Sequence, residues 1–168
     1  MSPKVLAAFF IAILLSTGTT NAKDIGGPIS TTLTITENSR LISDVTCTVS
    51  GASCIVIGAP SVTLDLNGFT ITGLADPQTG CNGPGAAALE DGIDVNGQTG
   101  VIIRGTGIVQ QFRRFGIRLL NSSGVTVTGV TTATNCFSGI FVNGTSDSLF
   151  ENNISVRNGE PANACGGI

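Results

Sequence analysis

Apolar and polar residues alternate in short runs along most of the chain, and turns of Asn, Gly and Ser separate the runs. Ile93-Asp94-Val95 and Ile117-Arg118-Leu119 are two examples. Alternation with a period of two places every second side chain on one face, which is typical of β-strands. Gly is abundant, and Thr, Val and Ile fill the runs, whereas helix-forming residues are few. The sequence therefore predicts an all-β fold of many short strands.

The dipeptide Gly-Ile returns at a nearly constant interval. It begins at Gly92, Gly116 and Gly139, which are 24 and 23 residues apart, and again at Gly167 after 28 residues. A second marker repeats out of phase with the same spacing, at Gly105, Gly129 and Asn152. Two markers with one period indicate a repeated structural unit, which predicts a solenoid.

Alignment of the repeats predicts which side chains face inward. Each coil has a strand, a turn, a second strand and a Gly or Asn corner, the corner being Gly68, Gly105, Gly129 or Asn152. No coil can bury its own apolar face, so the core forms only by stacking, and each buried aliphatic side chain stabilises it by about 1.5–3 kcal/mol. The predicted inward columns are Ile55/Ile93/Ile117/Ile140, Ile57/Val95/Leu119/Val142 and Leu66/Ile103/Val127/Phe150.

Two stretches make the resemblance to a known family specific. They are Ser-Val-Thr-Leu-Asp-Leu-Asn-Gly-Phe-Thr-Ile-Thr-Gly at 61–73 and the Asn-rich Phe-Glu-Asn-Asn-Ile at 150–154. Both resemble the right-handed parallel β-helix repeats of the pectin-lyase-like superfamily, especially those of secreted bacterial proteins. The resemblance implies three sheets along the stack, with the Gly-Ile strands in the first sheet. It also implies that a polysaccharide would lie over the outward face of that sheet.

The chain divides into three predicted parts. Residues 1–22 have the charged start, apolar run and small-residue end of a secretory signal peptide, and the run is shorter than the roughly 20 residues that cross a bilayer. Residues 23–53 do not fit the repeat and are predicted to cap the core. Residues 54–168 form about four coils. Because Gly167-Ile168 opens a further coil, we expect a truncated C-terminal end and self-association through it.

Composition excludes several classes of function. A net charge of −3 is unsuited to nucleic-acid binding, which requires a basic surface. His is absent, which removes the usual general base, zinc ligand and nucleophile partner. No metal cluster or cofactor motif is visible. The predicted location is extracellular or at the cell surface, with the periplasm as an alternative.

All five Cys follow the predicted signal peptide, in a compartment that permits disulfides. Cys47 and Cys54 are close in sequence and are predicted to clip the entry to the coils. Cys136 and Cys165 precede successive Gly-Ile strands and are predicted to pair between coils. Cys81 is then left over. Five cysteines do not fix a connectivity, so this pairing is a hypothesis.

Catalytic candidates lie around the Gly-Ile strands. Asp91 and Asp94 resemble part of a polygalacturonase motif, in which paired acids hydrolyse a glycosidic bond. Phe115, Arg118 and the absence of His depart from that motif and disfavour hydrolysis. A polyuronate lyase, with Arg118 as base and Ca²⁺ held by the acids, is the alternative enzyme. We favour instead a solvated cross-strand ion pair between Asp94 and Arg118.

The outward face of the first sheet also carries candidate binding residues. Its predicted members are Val56, Asp94, Arg118 and Phe141. Arg113, Arg114 and Phe141 are candidates for contact with an acidic polysaccharide. The sequence thus favours a non-catalytic β-helix module that binds glycan or acts structurally. The alternatives are the N-terminal part of a polysaccharide-active enzyme and an inactive fragment of a longer protein.

Overall fold

A computed structural model describes residues 21–75, 81 and 89–159. Several predicted features lie outside these residues: most of the signal peptide, Gly167-Ile168, Cys165 and most of the insertion at 74–90. The described residues form fifteen strands and no helix. No helix that could cross a membrane occurs among them.

The Gly-Ile strands form one parallel sheet, called here the first sheet. It has five strands, one from each coil: β2 (Leu33–Ile35), β4 (Ile55–Ile57), β7 (Ile93–Asn96), β10 (Ile117–Leu120) and β13 (Ile140–Asn143). They are hydrogen-bonded in the order β13-β10-β7-β4-β2.

The remaining ten strands form a second hydrogen-bonded sheet. It consists of two parallel ladders, called here the second ladder and the third ladder because the first sheet is a ladder of its own. The long strand β3 (Ser39–Cys47) belongs to both ladders and joins them, and β1 (Lys23–Ile29) pairs with it. The second ladder continues through β5 (Thr63–Asp65), β8 (Ile102–Arg104), β11 (Thr126–Thr128) and β14 (Leu149–Glu151). The third ladder continues through β6 (Thr70–Thr72), β9 (Ile108–Gln110), β12 (Thr131–Ala133) and β15 (Ile154–Val156). Together with the first sheet, these ladders make the parallel β-helix that the repeat predicts.

Two of the predicted inward columns are confirmed, and the third needs one correction. Ile93 pairs with Ile55 and Ile117, and Ile117 pairs with Ile140. In the third column, Leu64 lies opposite Ile103, so the prediction of Leu66 there was wrong. The column reads Leu64/Ile103/Val127/Phe150.

The corners explain that error. Gly105, Gly129 and Asn152 follow paired residues and all have positive φ, at 102°, 70° and 55°. Glycine adopts this region freely, and Asn tolerates it better than most residues do. Gly68 also has positive φ, but it is the third residue after β5, whereas Gly105 directly follows β8. Alignment on Gly68 therefore shifts the preceding strand by two residues.

The first coil starts earlier than the sequence predicts. Residues 23–53 were assigned to a cap, but β2 pairs with β4 in the first sheet and β3 pairs with β5 and β6. Only β1 adds a strand beyond this coil, because it pairs with β3 alone. Ile25 and Ile29 of β1 are buried in the core. The described residues therefore contain five coils, and β1 is the element that covers the core at their N-terminal end.

Burial follows the columns up to the fifth coil. Ile55, Ile93 and Ile117 are fully buried, as is Leu119. Val142 continues the column of Leu119 but is 38% exposed. The stacked neighbour on the C-terminal side is what buries each coil, so the fifth coil is the least covered of those described.

Asparagine side chains satisfy the main chain at one turn of the stack. Asn135 is fully buried, accepts a hydrogen bond from the Phe112 amide at 3.1 Å and donates to the Val109 carbonyl at 3.2 Å. Asn158 of the next coil accepts from both the amide and the side chain of Asn135, at 3.0 and 2.9 Å. Buried main-chain groups require such partners because an unpaired one costs about 1–3 kcal/mol.

Two disulfides join cysteines within the described residues. Cys47 bonds to Cys54, which is the pair that the sequence suggested. Cys136 bonds to Cys81, so the predicted Cys136–Cys165 pair is wrong and Cys81 is not left over. Cys81 lies in the insertion before β7, and its bond ties that insertion to the loop between β12 and β13.

We expect Leu119→Ala to lower the free energy of unfolding by about 2–5 kcal/mol, because it opens a cavity in a stacked column. Leu149→Ala is the matched control, since Leu149 points outward and is 50% exposed. We expect the control to change stability by less than about 0.5 kcal/mol. Urea unfolding followed by circular dichroism measures both values. Equal losses for the two variants would contradict the assignment of the inward faces.

The two disulfides should differ in their contribution to stability. Cys81 and Cys136 are 55 residues apart, whereas Cys47 and Cys54 are 7 apart. Chain-entropy arguments give about 4 kcal/mol for the longer loop and about 2 kcal/mol for the shorter. We expect the double serine variant of Cys81 and Cys136 to lose more stability than that of Cys47 and Cys54. The reverse order in chemical unfolding would contradict this prediction.

Candidate functional site

The outward column of the first sheet has the residues that the sequence predicts. Val56 pairs with Asp94, Asp94 with Arg118, and Arg118 with Phe141, each on adjacent coils. Each lies between two residues of the inward columns, so its side chain points to the opposite face of the sheet. One aspartate, one arginine and one phenylalanine therefore lie in line along the stack.

Asp94 and Arg118 form a largely buried, bidentate ion pair. The Nε of Arg118 donates to Asp94 Oδ1 at 2.9 Å, and its Nη2 donates to Asp94 Oδ2 at 2.6 Å. The side chains of Arg118 and Asp94 are only 13% and 10% exposed. The prediction of a solvated ion pair is therefore wrong, because both charged side chains are largely buried.

Asp91 is the most buried charged group of this region, with a fully buried side chain. The structure brings it against two arginines, Arg114 and Arg118, and the Nε of Arg114 donates to its Oδ1 at 2.8 Å. The Phe115 amide at 3.3 Å and the Ser53 hydroxyl at 3.4 Å also donate to this carboxylate. The carboxylate therefore has several donors around it, which buried charges require.

A third acid and a third arginine complete this network. Arg113 donates from Nη1 to both carboxylate oxygens of Glu90, at 2.9 and 3.0 Å. Glu90 also accepts from the Gly51 amide at 2.8 Å and the Ser50 hydroxyl at 3.3 Å. Its side chain is 7% exposed. Glu90 thus ties the loop before β7 to the segment between β3 and β4.

Three phenylalanines lie next to the ion pairs. The rings of Phe115 and Phe141 stack with centroids 4.3 Å apart and planes 8° from parallel. Phe137 meets Phe115 edge to face at 6.1 Å. The guanidinium of Arg114 lies 5.0 Å from the centroid of the Phe115 ring, within cation–π distance. Phe115 and Phe137 were not among the predicted binding residues. Their positions in the sequence were the available signal, because each lies at the end of a loop that precedes a Gly-Ile strand.

Arg118 is a poor candidate for a general base. Its hydrogen bonds to Asp94 raise its pKa above the ordinary arginine value, and this outweighs the opposing effect of burial. The negative charges of Asp94 and Asp91 raise the pKa further. A base must lose its proton to act, and this environment holds the proton on Arg118.

The network leaves little free charge for chemistry. Glu90 pairs with Arg113, and Asp91 and Asp94 pair with Arg114 and Arg118, so each of the six takes part in an ion pair. No group of three or more metal-binding side chains that could hold an ion occurs in the described ranges. The arrangement suits a rigid, electrically balanced surface with an aromatic edge.

The structure also shows a groove that the sequence did not reveal. It has a volume of about 340 Å³ and lies on the outward side of the second ladder, near the N-terminal end of the stack. The sequence does contain charged residues at the outward positions of that ladder. Only the register of β3 with β5 shows that they lie on adjacent strands. Its lining residues are Ala22, Asn38, Ser39, Arg40, Thr63, Asp65, Asn67 and Arg104.

We expect Asp91→Asn to lower the free energy of unfolding by about 3–5 kcal/mol, because it leaves the buried Arg114 without its counter-charge. Asp147→Asn is the matched control, since Asp147 is exposed and lies outside the network. We expect the control to stay within about 0.5 kcal/mol of the parent chain. Chemical unfolding measures both. An Asp91→Asn midpoint equal to that of Asp147→Asn would contradict a structural role for the network.

Comparison with known proteins identifies the family and nothing finer. A family model described as a right-handed beta helix region matches residues 31–168. Its start agrees with the early first coil at β2 and includes part of the segment that the sequence assigned to a cap. No curated protein and no solved structure matches the chain significantly. The model covers most of the sequence and agrees with the stacked parallel sheets. The chain therefore belongs to the right-handed parallel β-helix family, as its coarse resemblance to pectin-lyase-like proteins implies.

Proposed function

We propose that this chain is a non-catalytic extracellular β-helix module that binds glycan on the outward face of the first sheet. One observation carries the proposal: the acids and arginines of that face are engaged with one another. Groups held in this way give a surface its shape, and many of their polar atoms already have protein partners. The predicted roles of Asp91, Asp94 and Arg118 in catalysis are thereby disfavoured.

The aromatic edge supports glycan as the ligand. Phe141 points outward and is partly exposed, and its ring is stacked on that of Phe115. Aromatic side chains bury much area at little entropic cost and are favoured in recognition surfaces. Arg118 and Asp94 follow Phe141 along the same column, so a largely buried ion pair lies beside the apolar ring. An extended sugar chain parallel to the stack could contact all three.

Two features support export. The two disulfides form and persist in oxidising compartments, as in secreted or periplasmic proteins. The sequence of residues 1–22 resembles a secretory signal peptide. We therefore propose an extracellular or cell-surface location, with the periplasm as the alternative.

Phe141→Ala tests the glycan-binding face. We expect this variant to bind its glycan about threefold to tenfold more weakly, because an aromatic contact contributes about 0.5–1.5 kcal/mol beyond its buried area. Affinity electrophoresis in gels that contain neutral polysaccharides or polyuronates, one at a time, measures the change. Leu149→Ala is the control, since it removes an exposed apolar side chain from a different ladder. Parent protein that migrates freely in all gels would overturn the proposal.

The same polyuronates test the alternative function of a lyase. β-Elimination creates unsaturated sugar ends that absorb ultraviolet light. We expect no such absorbance after prolonged incubation, with or without Ca²⁺. A steady increase that Arg118→Lys abolishes would show that the chain is an enzyme and would overturn the non-catalytic assignment.

A further inference from the structure

The groove on the second ladder differs in its charges from the face of the first sheet. Two arginines line it, Arg40 on β3 and Arg104 on β8, with Asp65 of β5 between them in the register. Parallel neighbours are about 4.8 Å apart, so the two arginines start roughly 10 Å from each other along the stack. Two guanidinium groups therefore flank one open cavity.

These arginines have donors to spare and are much more exposed than Arg118 of the first sheet. Arg40 uses its Nε to bond Asp24 Oδ1 at 2.8 Å, and Arg104 uses its Nε to bond Asp65 Oδ2 at 2.9 Å. The terminal nitrogens of both have no hydrogen-bond partner among the residues that the structure describes. Their side chains are 54% and 55% exposed, whereas that of Arg118 is 13% exposed.

The acceptors in the groove are more fully used than the donors. Asp65 Oδ1 accepts from the Asn67 amide at 2.9 Å, and Asp65 Oδ2 accepts from Arg104. Asp24, which balances the charge of Arg40, is not among the lining residues. The hydroxyl of Thr63 has no partner in the described part of the chain. A ligand would therefore meet an excess of free donors, which is the chemistry that selects an oxyanion.

We propose that this groove binds a carboxylate or sulfate group carried on a small sugar, through the terminal nitrogens of Arg40 and Arg104. Arginine recognises such planar or tetrahedral oxyanions with two parallel hydrogen bonds. The volume of about 340 Å³ lies at the lower end of the range for ligand sites, so the ligand is of monosaccharide size. The groove is on a different sheet from Phe141, and neither proposal depends on the other.

Titration of the full chain with glucose, glucuronate and glucose 6-sulfate, followed by NMR shifts, tests this proposal. The three sugars share a ring and differ in charge. We expect both anionic sugars to bind at least about tenfold more tightly than glucose, since hydrogen bonds to charged groups are the stronger ones. Binding should weaken as salt is added, because the groove is open to solvent. Shifts should map to Thr63, Asp65 and Arg104.

Arg104→Gln and Arg40→Gln should each weaken binding of the anionic sugars about tenfold or more, with little effect on glucose. Both arginines form exposed ion pairs, so these variants should fold normally. Arg157→Gln is the matched control, because it removes the same charge from an exposed position after β15. Glucose binding as tightly as glucuronate would overturn the proposal, as would groove variants that behave like Arg157→Gln. Phe141→Ala should leave this binding unchanged.

Discussion

The close approach of successive coils is the constraint on which the rest of the structure depends. Each Gly-Ile strand hydrogen-bonds to the next, with the Ile117 amide 2.9 Å from the Gly139 carbonyl. A Cβ added at Gly116 would lie 2.7 Å from that same carbonyl and from Asn135 Nδ2. The glycine is therefore required by space at this position, because any side chain would push the coils apart. The isoleucine that follows it fills the core that this contact closes.

The same stacking creates the charged network. The ion pairs of Asp91 with Arg114 and of Glu90 with Arg113 each span 23 residues, and that of Asp94 with Arg118 spans 24. One period therefore places acids of one coil directly beside arginines of the next. Their burial makes the network costly to break but gives it little net stabilisation over an apolar replacement. The network fixes how the insertion before β7 meets the stack, and it leaves the first sheet with a balanced charge.

Several errors of the sequence analysis share one cause, the treatment of irregular segments as if they obeyed the period. Gly68 is the third residue after β5, whereas Gly105 directly follows β8, so Leu64 and not Leu66 faces Ile103. The sequence pattern does not indicate the first coil, because the long strand β3 belongs to two ladders without a corner between them. The repeat predicts a partner for Cys136 one period away, but Cys136 bonds to Cys81 in the insertion. Insertions follow tertiary contacts, which no spacing rule describes.

The first-sheet assignment came from the family resemblance, whereas period and alternation alone determined the all-β solenoid fold, two inward columns and the outward order of Asp94, Arg118 and Phe141. They could do so because neighbouring coils are related by a nearly constant number of residues, so position in the repeat translates into position in space. Burial and pairing were decided only by the tertiary structure. Whether an outward arginine is enclosed in ion pairs or remains exposed depends on which acids the loops place beside it. Arg118 is enclosed with two aspartates, whereas Arg104 keeps its terminal nitrogens in an open groove, and the sequence pattern of the two strands does not distinguish them.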